Sequence, residues 1–366
     1  MINFFCPINN LGNGIHAYYL LRAYATAGFG EVCLLPPYGS VAYEDEHVLK
    51  WLRNQERFSP KDPGLMIFDI PFFFRFCGSP RIGFAVFESD GFNPVQRAAL
   101  RSCDFLFTPS QWGRRVLEVN GFKNVEVVPE GVDTEIFRAS PGQPFHKRTF
   151  IHVGKFEERK GTLSILKCFT AALENEEAVL WMHPHTPFIG NVNHILESTL
   201  IDYGYRTLNW TDFFKGRLEV KITMAGMSHQ ELAKLCGMVD CGIYPTKGEG
   251  WGLPILECLA SGTPVITGNW TAMADYLTPE YPRELTLERF QMQPAMDGQW
   301  FNGDRGNWFV PDEVELVEKI RWAYANARLL RASVGWVLFV NELRARWTWE
   351  RAAQRLKEAL TNVGAG

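Results

Sequence analysis

The feature that most constrains the fold is an alternation along the whole chain, in which short apolar runs of strand length are followed by longer amphipathic stretches of helix length. Strands and helices that alternate in this way form parallel sheets covered by helices. A segment rich in proline, glycine and charge at residues 138–148 interrupts the alternation, which then starts again. The chain has 366 residues, more than one hydrophobic core usually organises. We therefore expect an α/β protein with domains at residues 1–140 and 148–345.

The sequence predicts the individual elements from the same periodicity. In the first domain, strands are predicted at residues 2–6, 31–35, 65–70, 82–87, 105–109 and 125–129, and helices at 16–27 and 94–102. In the second domain, strands are predicted at 149–153, 179–182, 218–223, 241–244 and 264–267, and helices at 161–174, 228–238, 254–261 and 312–331. Residues 187–215 are interpreted as an insertion with partial helix, and residues 348–361 as a final helix with one charged and one apolar face.

Charge and hydropathy exclude several classes of protein. The formal net charge of −4 provides no overall field that would attract nucleic acid or an anionic membrane. The first residues lack the basic segment of a signal peptide, and no continuous apolar run approaches the ~18 residues of a spanning helix. The eight cysteines are scattered and form no CxxC pair, as in a reduced cytosol. We expect a cytoplasmic protein without stable membrane insertion, which can lie peripherally at a membrane. The sequence carries no signal for a particular oligomeric state.

The most specific motif is the glycine-rich segment Lys247-Gly-Glu-Gly-Trp-Gly-Leu-Pro-Ile-Leu-Glu257, which follows a predicted strand and leads into a predicted helix. Pro254 suits the first turn of that helix because its missing N–H would have no partner there. Backbone N–H groups at such a helix start bind phosphate, with the helix dipole behind them. The two carboxylates, Glu249 and Glu257, can accept hydrogen bonds from sugar hydroxyls on either side of an anion. The residues predicted to contribute to this anion site are Gly250, Trp251, Gly252 and Leu253.

This segment and its flanks, from residue 232 to residue 265, resemble the retaining GT-B glycosyltransferases of glycosyltransferase family four, also called glycosyl transferases group 1. The resemblance rests on the Glu249-x7-Glu257 pair, on the preceding Val-Asp-Cys-Gly-Ile-Tyr-Pro-Thr and on the following Ala-Ser-Gly-Thr-Pro-Val. It implies that Glu249 contacts the transferred sugar and that Glu257 binds the ribose of the donor. It also implies two Rossmann-like domains with parallel sheets that face a central cleft, and a C-terminal helix, residues 347–363, that returns to the first domain.

A second motif, His152-Val-Gly-Lys-Phe-Glu-Glu-Arg-Lys-Gly161, resembles the phosphate clamp of the same family. Lys160 matches the family's lysine, and Lys155 stands where an arginine is usual. Cations at this position can neutralise a diphosphate leaving group. A lysine lacks the bidentate fork of arginine, and we expect Arg159 to compensate. Because the composition is also common on protein surfaces, a solvated charged turn is the alternative interpretation.

Two further segments of the first half resemble the family more loosely. Gly12 and Gly14 follow the first predicted strand and resemble its N-terminal glycine loop, which faces the donor phosphates; a plain strand-to-helix turn is the alternative. Glu88 and Asp90 lie where many members carry a histidine. Glu88 is the candidate for orienting the acceptor hydroxyl or the sugar, whereas Asp90 equally suits a helix N-cap.

The resemblance implies a metal-independent enzyme, because no DxD motif is present. It transfers a sugar, with retention of configuration, from a UDP- or GDP-sugar to an acceptor hydroxyl and needs no other cofactor. The acceptor can be a glycan, a lipid-linked carrier, a small molecule or a modified nucleic acid. Two other functions stay open on the sequence: a GT-B nucleotide-sugar epimerase and a non-catalytic nucleotide-sugar binding protein.

Overall fold

The computed structural model describes residues 1–37, 41–42, 45–138, 144–184, 186, 188–207, 209–224 and 226–366. The chain divides into two compact units. The first consists of Met1–Val132, Asp304–Gly306 and Arg346–Gly366, and the second of Asp133–Gly303 and Asn307–Ala345. Of the linker predicted at 138–148, residues 139–143 lie outside the described residues.

The strands and helices alternate along the chain. The strands are β1 (Ile2–Phe5), β2 (Val32–Leu34), β3 (Gly64–Ile67), β4 (Arg81–Phe84), β5 (Phe105–Thr108), β6 (Val125–Val127), β7 (Arg148–Val153), β8 (Ala178–His183), β9 (Arg206–Thr207), β10 (Asp212–Lys215), β11 (Leu218–Ile222), β12 (Cys241–Tyr244), β13 (Val265–Gly268), β14 (Thr286–Leu287), β15 (Phe290–Met296) and β16 (Asn302–Pro311). The α-helices are α1 (Gly12–Thr26), α2 (Glu46–Arg53), α3 (Pro94–Arg101), α4 (Gln111–Val119), α5 (Thr162–Leu173), α6 (Val192–Asp202), α7 (His229–Met238), α8 (Leu253–Ala260), α9 (Glu313–Arg331), α10 (Val334–Arg346) and α11 (Trp349–Asn362). This order confirms the predicted α/β class.

The first unit is built on a parallel sheet in the order β2-β1-β3-β4-β5-β6. Its strands are buried, as in sheets covered on both faces. The last helix, α11, packs against α1. It turns a stripe of buried residues inward, comprising Trp349, Ala352, Ala353, Leu356, Ala359 and Leu360. The predicted return of the C-terminal helix to the first domain is therefore confirmed.

The second unit is built on a sheet in the order β14-β13-β12-β7-β8-β11-β10-β9. The strands from β14 to β11 are parallel, whereas β10 and β9 add an antiparallel edge. That edge and α6 are formed by the predicted insertion at 187–215, of which residues 187 and 208 are outside the described ranges. After β7, the chain passes through α5 into β8, which lies next to β7 in the sheet. Strand β12 comes later in the chain and lies on the other side of β7. The strand order therefore reverses between β7 and β12.

Some elements differ from the sequence prediction. The strands β3 and β4 end three residues earlier than predicted, because apolar residues such as Ala85 and Phe87 continue into a buried loop that is not part of the ladder. The antiparallel hairpin of β15 and β16 was not predicted, since all residues of β15 except Ala295 are exposed and give no buried face. Helix α10 was also missed, because apolar side chains occupy its exposed as well as its buried side.

The described helices differ from helices that cross a bilayer, which are long and predominantly apolar. The longest, α9, has 19 residues and carries charged side chains in its first and last turns. None of the described helices is long and apolar enough to cross a membrane.

Candidate functional site

The candidate site of the second unit lies at the carboxyl ends of β7 and β12, which are neighbours in the sheet. In open α/β sheets, ligands bind outside the carboxyl ends of the strands at the point where the strand order reverses. The loop after β7 and the loop after β12 contain the two motifs that the sequence singled out. A backbone hydrogen bond joins these loops, in which the Lys247 N–H donates to the Arg159 carbonyl oxygen at 2.8 Å.

A chain of ion pairs connects the charged residues of both loops. Lys160 Nζ lies 2.7 Å from Glu249 Oε1, and Arg159 Nη1 lies 3.1 Å from Glu249 Oε2. Arg159 also binds Glu157 at 2.9 Å, and Lys155 Nζ lies 3.1 Å from the other oxygen of Glu157. The structure therefore brings Glu249, Lys160, Lys155 and Arg159 together. With the Lys247–Glu158 pair that also joins the loops, four cations face three carboxylates, and this excess of positive charge suits an anionic ligand.

The ion pairs decide the protonation of these groups. Burial alone would raise the pKa of Glu249, but Lys160 and Arg159 hold it below its ordinary value. Burial likewise opposes ionisation of Glu157, yet Arg159 and the two lysines lower its pKa to about 2. The pKa of Lys160 is lowered by burial, which Glu249 partly offsets. Both carboxylates are therefore ionised at neutral pH.

Arg159 is more deeply buried than the other two cations of these loops. The sequence led us to expect that its guanidinium would contact a diphosphate, but the residue is only 4% exposed. Its Nη1 donates to the Gly248 carbonyl oxygen at 2.7 Å, and the group also binds Glu157 and Glu249. The guanidinium is thus used within the protein to hold the loop after β12. Lys155, with a side chain that is 35% exposed, is the more accessible cation.

The start of α8 presents backbone donors. Gly252 has a φ of +92°, and a Cβ there would lie 2.9 Å from the Tyr276 hydroxyl, so the position requires glycine. Among the described residues, the N–H groups of Gly250, Gly252 and Leu253 have no hydrogen-bond partner. Pro254 follows in the first turn, as predicted. These N–H groups are available to an anion at the positive end of the helix.

The Trp251 side chain belongs to the core. The residue is 2% exposed, and its ring packs edge-on against Tyr276 with centroids 5.5 Å apart. The Tyr276 hydroxyl donates to the Trp251 carbonyl oxygen at 3.0 Å.

Glu257 contrasts with Glu249. It lies in α8, is 6% exposed, and has no hydrogen bond or ion pair of its carboxyl group to any described residue. Burial raises its pKa to about 8. A buried carboxyl without a partner costs free energy. Such a group is available to hydroxyl groups of a ligand.

The first unit carries the remaining predicted residues at the carboxyl edge of its own sheet. Gly12 begins α1 after β1, and a Cβ there would meet no atom within 4 Å. At Gly14 a Cβ would lie 2.5 Å from the Asn9 backbone nitrogen, so this glycine is needed for packing of the turn. Glu88 lies in the loop after β4 and is half-buried.

Sequence reasoning missed residues that support the loop after β12. The Glu249 N–H donates to Thr271 Oγ1 at 3.1 Å, and Trp270 Nε1 donates to the Thr246 carbonyl oxygen at 3.2 Å. The Phe309 N–H of the unpredicted hairpin donates to the Lys247 carbonyl oxygen at 2.9 Å. These supports lie far along the chain from the motif, which therefore carries no local signal for them.

Part of the chain is similar in sequence to known proteins. Residues 147–289 match the family model of glycosyl transferases group 1. A segment of 163 residues is 24% identical to the MMP alpha-(1->4)-mannosyltransferase of Mycolicibacterium hassiacum. That alignment covers 43% of this chain and 34% of the relative, so the chain matches about a third of the relative's length.

Solved structures resemble the whole chain in fold. Sucrose-phosphate synthase from Thermosynechococcus elongatus is similar with a TM-score of 0.69 at 15% identity, over 100% of this chain and 99% of that chain. HepE of Anabaena, solved in complex with UDP-glucose, has a TM-score of 0.67 at 12% identity, over 99% of each chain. Residues 147–289 are thus similar to glycosyl transferases group 1, and the two Rossmann-like sheets agree with the GT-B fold of the solved structures.

Proposed function

We propose that this protein transfers a sugar from a nucleotide-diphosphate sugar, a UDP- or GDP-sugar, to an acceptor hydroxyl with retention of configuration. The activity of the mannosyltransferase relative and the UDP-glucose bound to HepE support a donor of this class. The acceptor is a hydroxyl-bearing molecule, for which a glycan is the first candidate.

The observation that carries the proposal is the unpartnered Glu257 carboxyl in α8, the helix whose start presents free N–H groups and which follows the loop where Glu249 pairs with Lys160. A nucleotide-diphosphate sugar combines a polyhydroxyl group with a dianionic link, and these residues offer acceptors for the first and positive charge for the second. Glu257 would accept from the ribose, and Glu249 from the transferred sugar. A site that bound only a free anion would gain no hydrogen bond from the Glu257 carboxyl group.

In the proposed reaction, the bond between the anomeric carbon and the diphosphate oxygen breaks, and a bond to the acceptor oxygen forms on the same face. The acceptor proton goes to an oxygen of the departing diphosphate. Lys160 and Lys155 stabilise the charge that develops on that diphosphate, together with the N–H groups at the start of α8. Glu88 orients the acceptor hydroxyl or the sugar.

We further propose that the reaction needs no metal ion, because lysine ammonium groups and helix N–H groups can supply the positive charge at the diphosphate. The measurement is the transfer rate after dialysis against EDTA, which we expect to be largely unchanged. Strict dependence on added Mg²⁺ or Mn²⁺ would refute metal independence without touching the transferase assignment.

The direct test incubates the full chain with UDP-glucose or GDP-mannose and a panel of glycan acceptors. Release of the nucleoside diphosphate, a glycosylated acceptor detected by mass spectrometry and an unchanged anomeric configuration by NMR are the expected results. Lys160→Ala should lower the rate about a hundredfold. The matched control is Lys234→Ala, on an exposed position of α7.

Other outcomes identify the alternatives. Conversion of the donor sugar to an epimer, without an acceptor product, would indicate an isomerase. Tight binding of the nucleotide sugar with no turnover on any acceptor would indicate a binding protein.

A further inference from the structure

His152 is a buried polar residue for which the mechanism above has no role. It lies near the end of β7 and is 1% exposed. Its ring packs beside Tyr244 with centroids 5.5 Å apart. The loop that follows carries Lys155, Arg159 and Lys160, so the imidazole lies at the carboxyl edge of the sheet where the candidate site is built.

One ring nitrogen fixes the tautomer. His152 Nδ1 lies 2.9 Å from the carbonyl oxygen of Ile243, on the neighbouring strand β12. A carbonyl oxygen can only accept, so Nδ1 must carry a proton and donate. Burial lowers the pKa of this imidazole to about 4, which keeps it neutral at physiological pH. Nε2 therefore has a lone pair and is a hydrogen-bond acceptor.

The other nitrogen, Nε2, is buried and has no hydrogen-bond partner among the described residues. A buried acceptor without a partner destabilises the folded protein. A Cβ built on Gly154 would lie 3.6 Å from Nε2 and 3.7 Å from Lys160 Cδ. The lone pair thus lies beside the space that the missing side chain of Gly154 leaves open, next to the lysine whose ammonium pairs with Glu249.

The chemistry of the ligand group follows from the lone pair. A phosphate oxygen is itself an acceptor and cannot bind a neutral Nε2, whereas a hydroxyl group can donate to it. We propose that His152 is a specificity-determining residue whose Nε2 accepts a hydrogen bond from a hydroxyl group of the transferred sugar. This inference rests on the proposed function, because it needs a donor sugar beside Lys160 and Glu249.

The test compares two variants of His152. One keeps a hydrogen-bond donor at the position of Nδ1, and the other offers an acceptor near the position of Nε2. In His152→Asn, the side-chain amide can still donate to Ile243, but no acceptor remains at the position of Nε2. His152→Gln can place an amide oxygen near that position. Isothermal titration of the full chain with UDP, UDP-glucose, GDP and GDP-mannose gives the dissociation constant of each nucleotide and of its sugar conjugate.

We expect His152→Asn to weaken the nucleotide sugar that the wild type binds by roughly tenfold, while the matching nucleotide keeps its affinity. His152→Gln should recover part of the loss. Equal weakening of nucleotide and nucleotide sugar would reveal a merely structural residue and overturn the inference. Unchanged affinity for both would do the same, since a buried water would then satisfy Nε2.

A second variant keeps the inference testable if His152→Asn does not fold. Gly154→Ala leaves His152 in place and puts a methyl group into the space beside Nε2. It should weaken the nucleotide sugar and spare the nucleotide, and retention of both affinities would count against the inference. If the wild type binds no nucleotide sugar, both this inference and the proposed function fail; if it binds one and neither variant discriminates, only the inference fails.

Discussion

Lys160 Nζ and Glu249 Oε1 lie 2.7 Å apart in the interior of the second unit, although the two residues are 89 positions apart in the sequence. Arg159 binds the other oxygen of the same carboxylate. This shared carboxylate makes the candidate site part of the folded core as well as a place for a ligand.

Glu249→Ala should destabilise the protein more than Lys160→Ala. The first substitution removes the carboxylate that pairs with Lys160 and one of the two that bind Arg159, whereas the second leaves Glu249 paired with Arg159. Removing one partner of a buried pair typically costs about 3–5 kcal/mol. Urea unfolding of both variants and of the double variant measures the coupling, which should make the double variant less unstable than the sum of the singles. Strict additivity would mean that the pair is not coupled in solution.

Glu257→Gln should stabilise the protein increasingly as the pH rises. Burial raises the pKa of Glu257 from 4.5 to about 8, so between these values the folded protein binds more protons than the unfolded chain. The free energy of unfolding therefore falls with rising pH, at most by about 1.4 kcal/mol per pH unit, and levels off above the folded pKa. The neutral glutamine side chain resembles the protonated Glu257 carboxyl, so the variant loses this dependence of the free energy of unfolding on pH.

The measurement is the difference in Tm between Glu257→Gln and wild type from pH 5 to pH 9. We expect it to be near zero at the acidic end and positive at the alkaline end. Glu318→Gln, an exposed position of α9, is the control. A difference that stays constant with pH would contradict the raised pKa.

Gly252→Ala should impair the site and lower stability. The backbone at this position has a φ of +92°, and the new methyl group would lie 2.9 Å from the Tyr276 hydroxyl. We expect a loss of stability of roughly 1–3 kcal/mol and weaker binding of nucleoside diphosphates, because the N–H groups at the start of α8 would shift. Gly335→Ala in α10, where a Cβ meets no atom within 4 Å, should leave binding unchanged and should not lower stability. Equal behaviour of the two variants would show that the turn adapts.

Glu88→Gln should lower the transfer rate and leave the affinity for nucleoside diphosphates unchanged. The substitution keeps the shape of the side chain and removes its charge, in a loop outside the carboxyl end of β4. Steady-state transfer kinetics and calorimetric titration with UDP or GDP are the two measurements, with Glu118→Gln on an exposed position of α4 as the control. An unchanged rate in a folded Glu88→Gln enzyme would remove this residue from the reaction.

The sequence predicted those parts of the molecule that leave a local pattern. The strands β7 and β12 and the start of α8 came from apolar runs and from glycine and proline at fixed positions. The partners of the charged residues could not be predicted in this way. Nothing in the run Glu157-Glu158-Arg159-Lys160 tells which side chain turns inward, because that depends on a carboxylate that the fold brings from the loop after β12. The same holds for His152, whose acceptor state depends on a carbonyl oxygen of the neighbouring strand.

The packing of α11 on α1 has a consequence for how the protein is made. The first unit draws its residues from both ends of the chain, and the whole second unit is synthesised between them. A ribosome must therefore deliver more than two hundred residues, from 133 to 345, before the helix that completes the first unit emerges. During that interval the face of α1 that will meet Trp349 has no cover from α11. A nascent chain that stalls before residue 349 would already contain every residue of the second unit. Its first unit would still lack α11 and would therefore be incomplete.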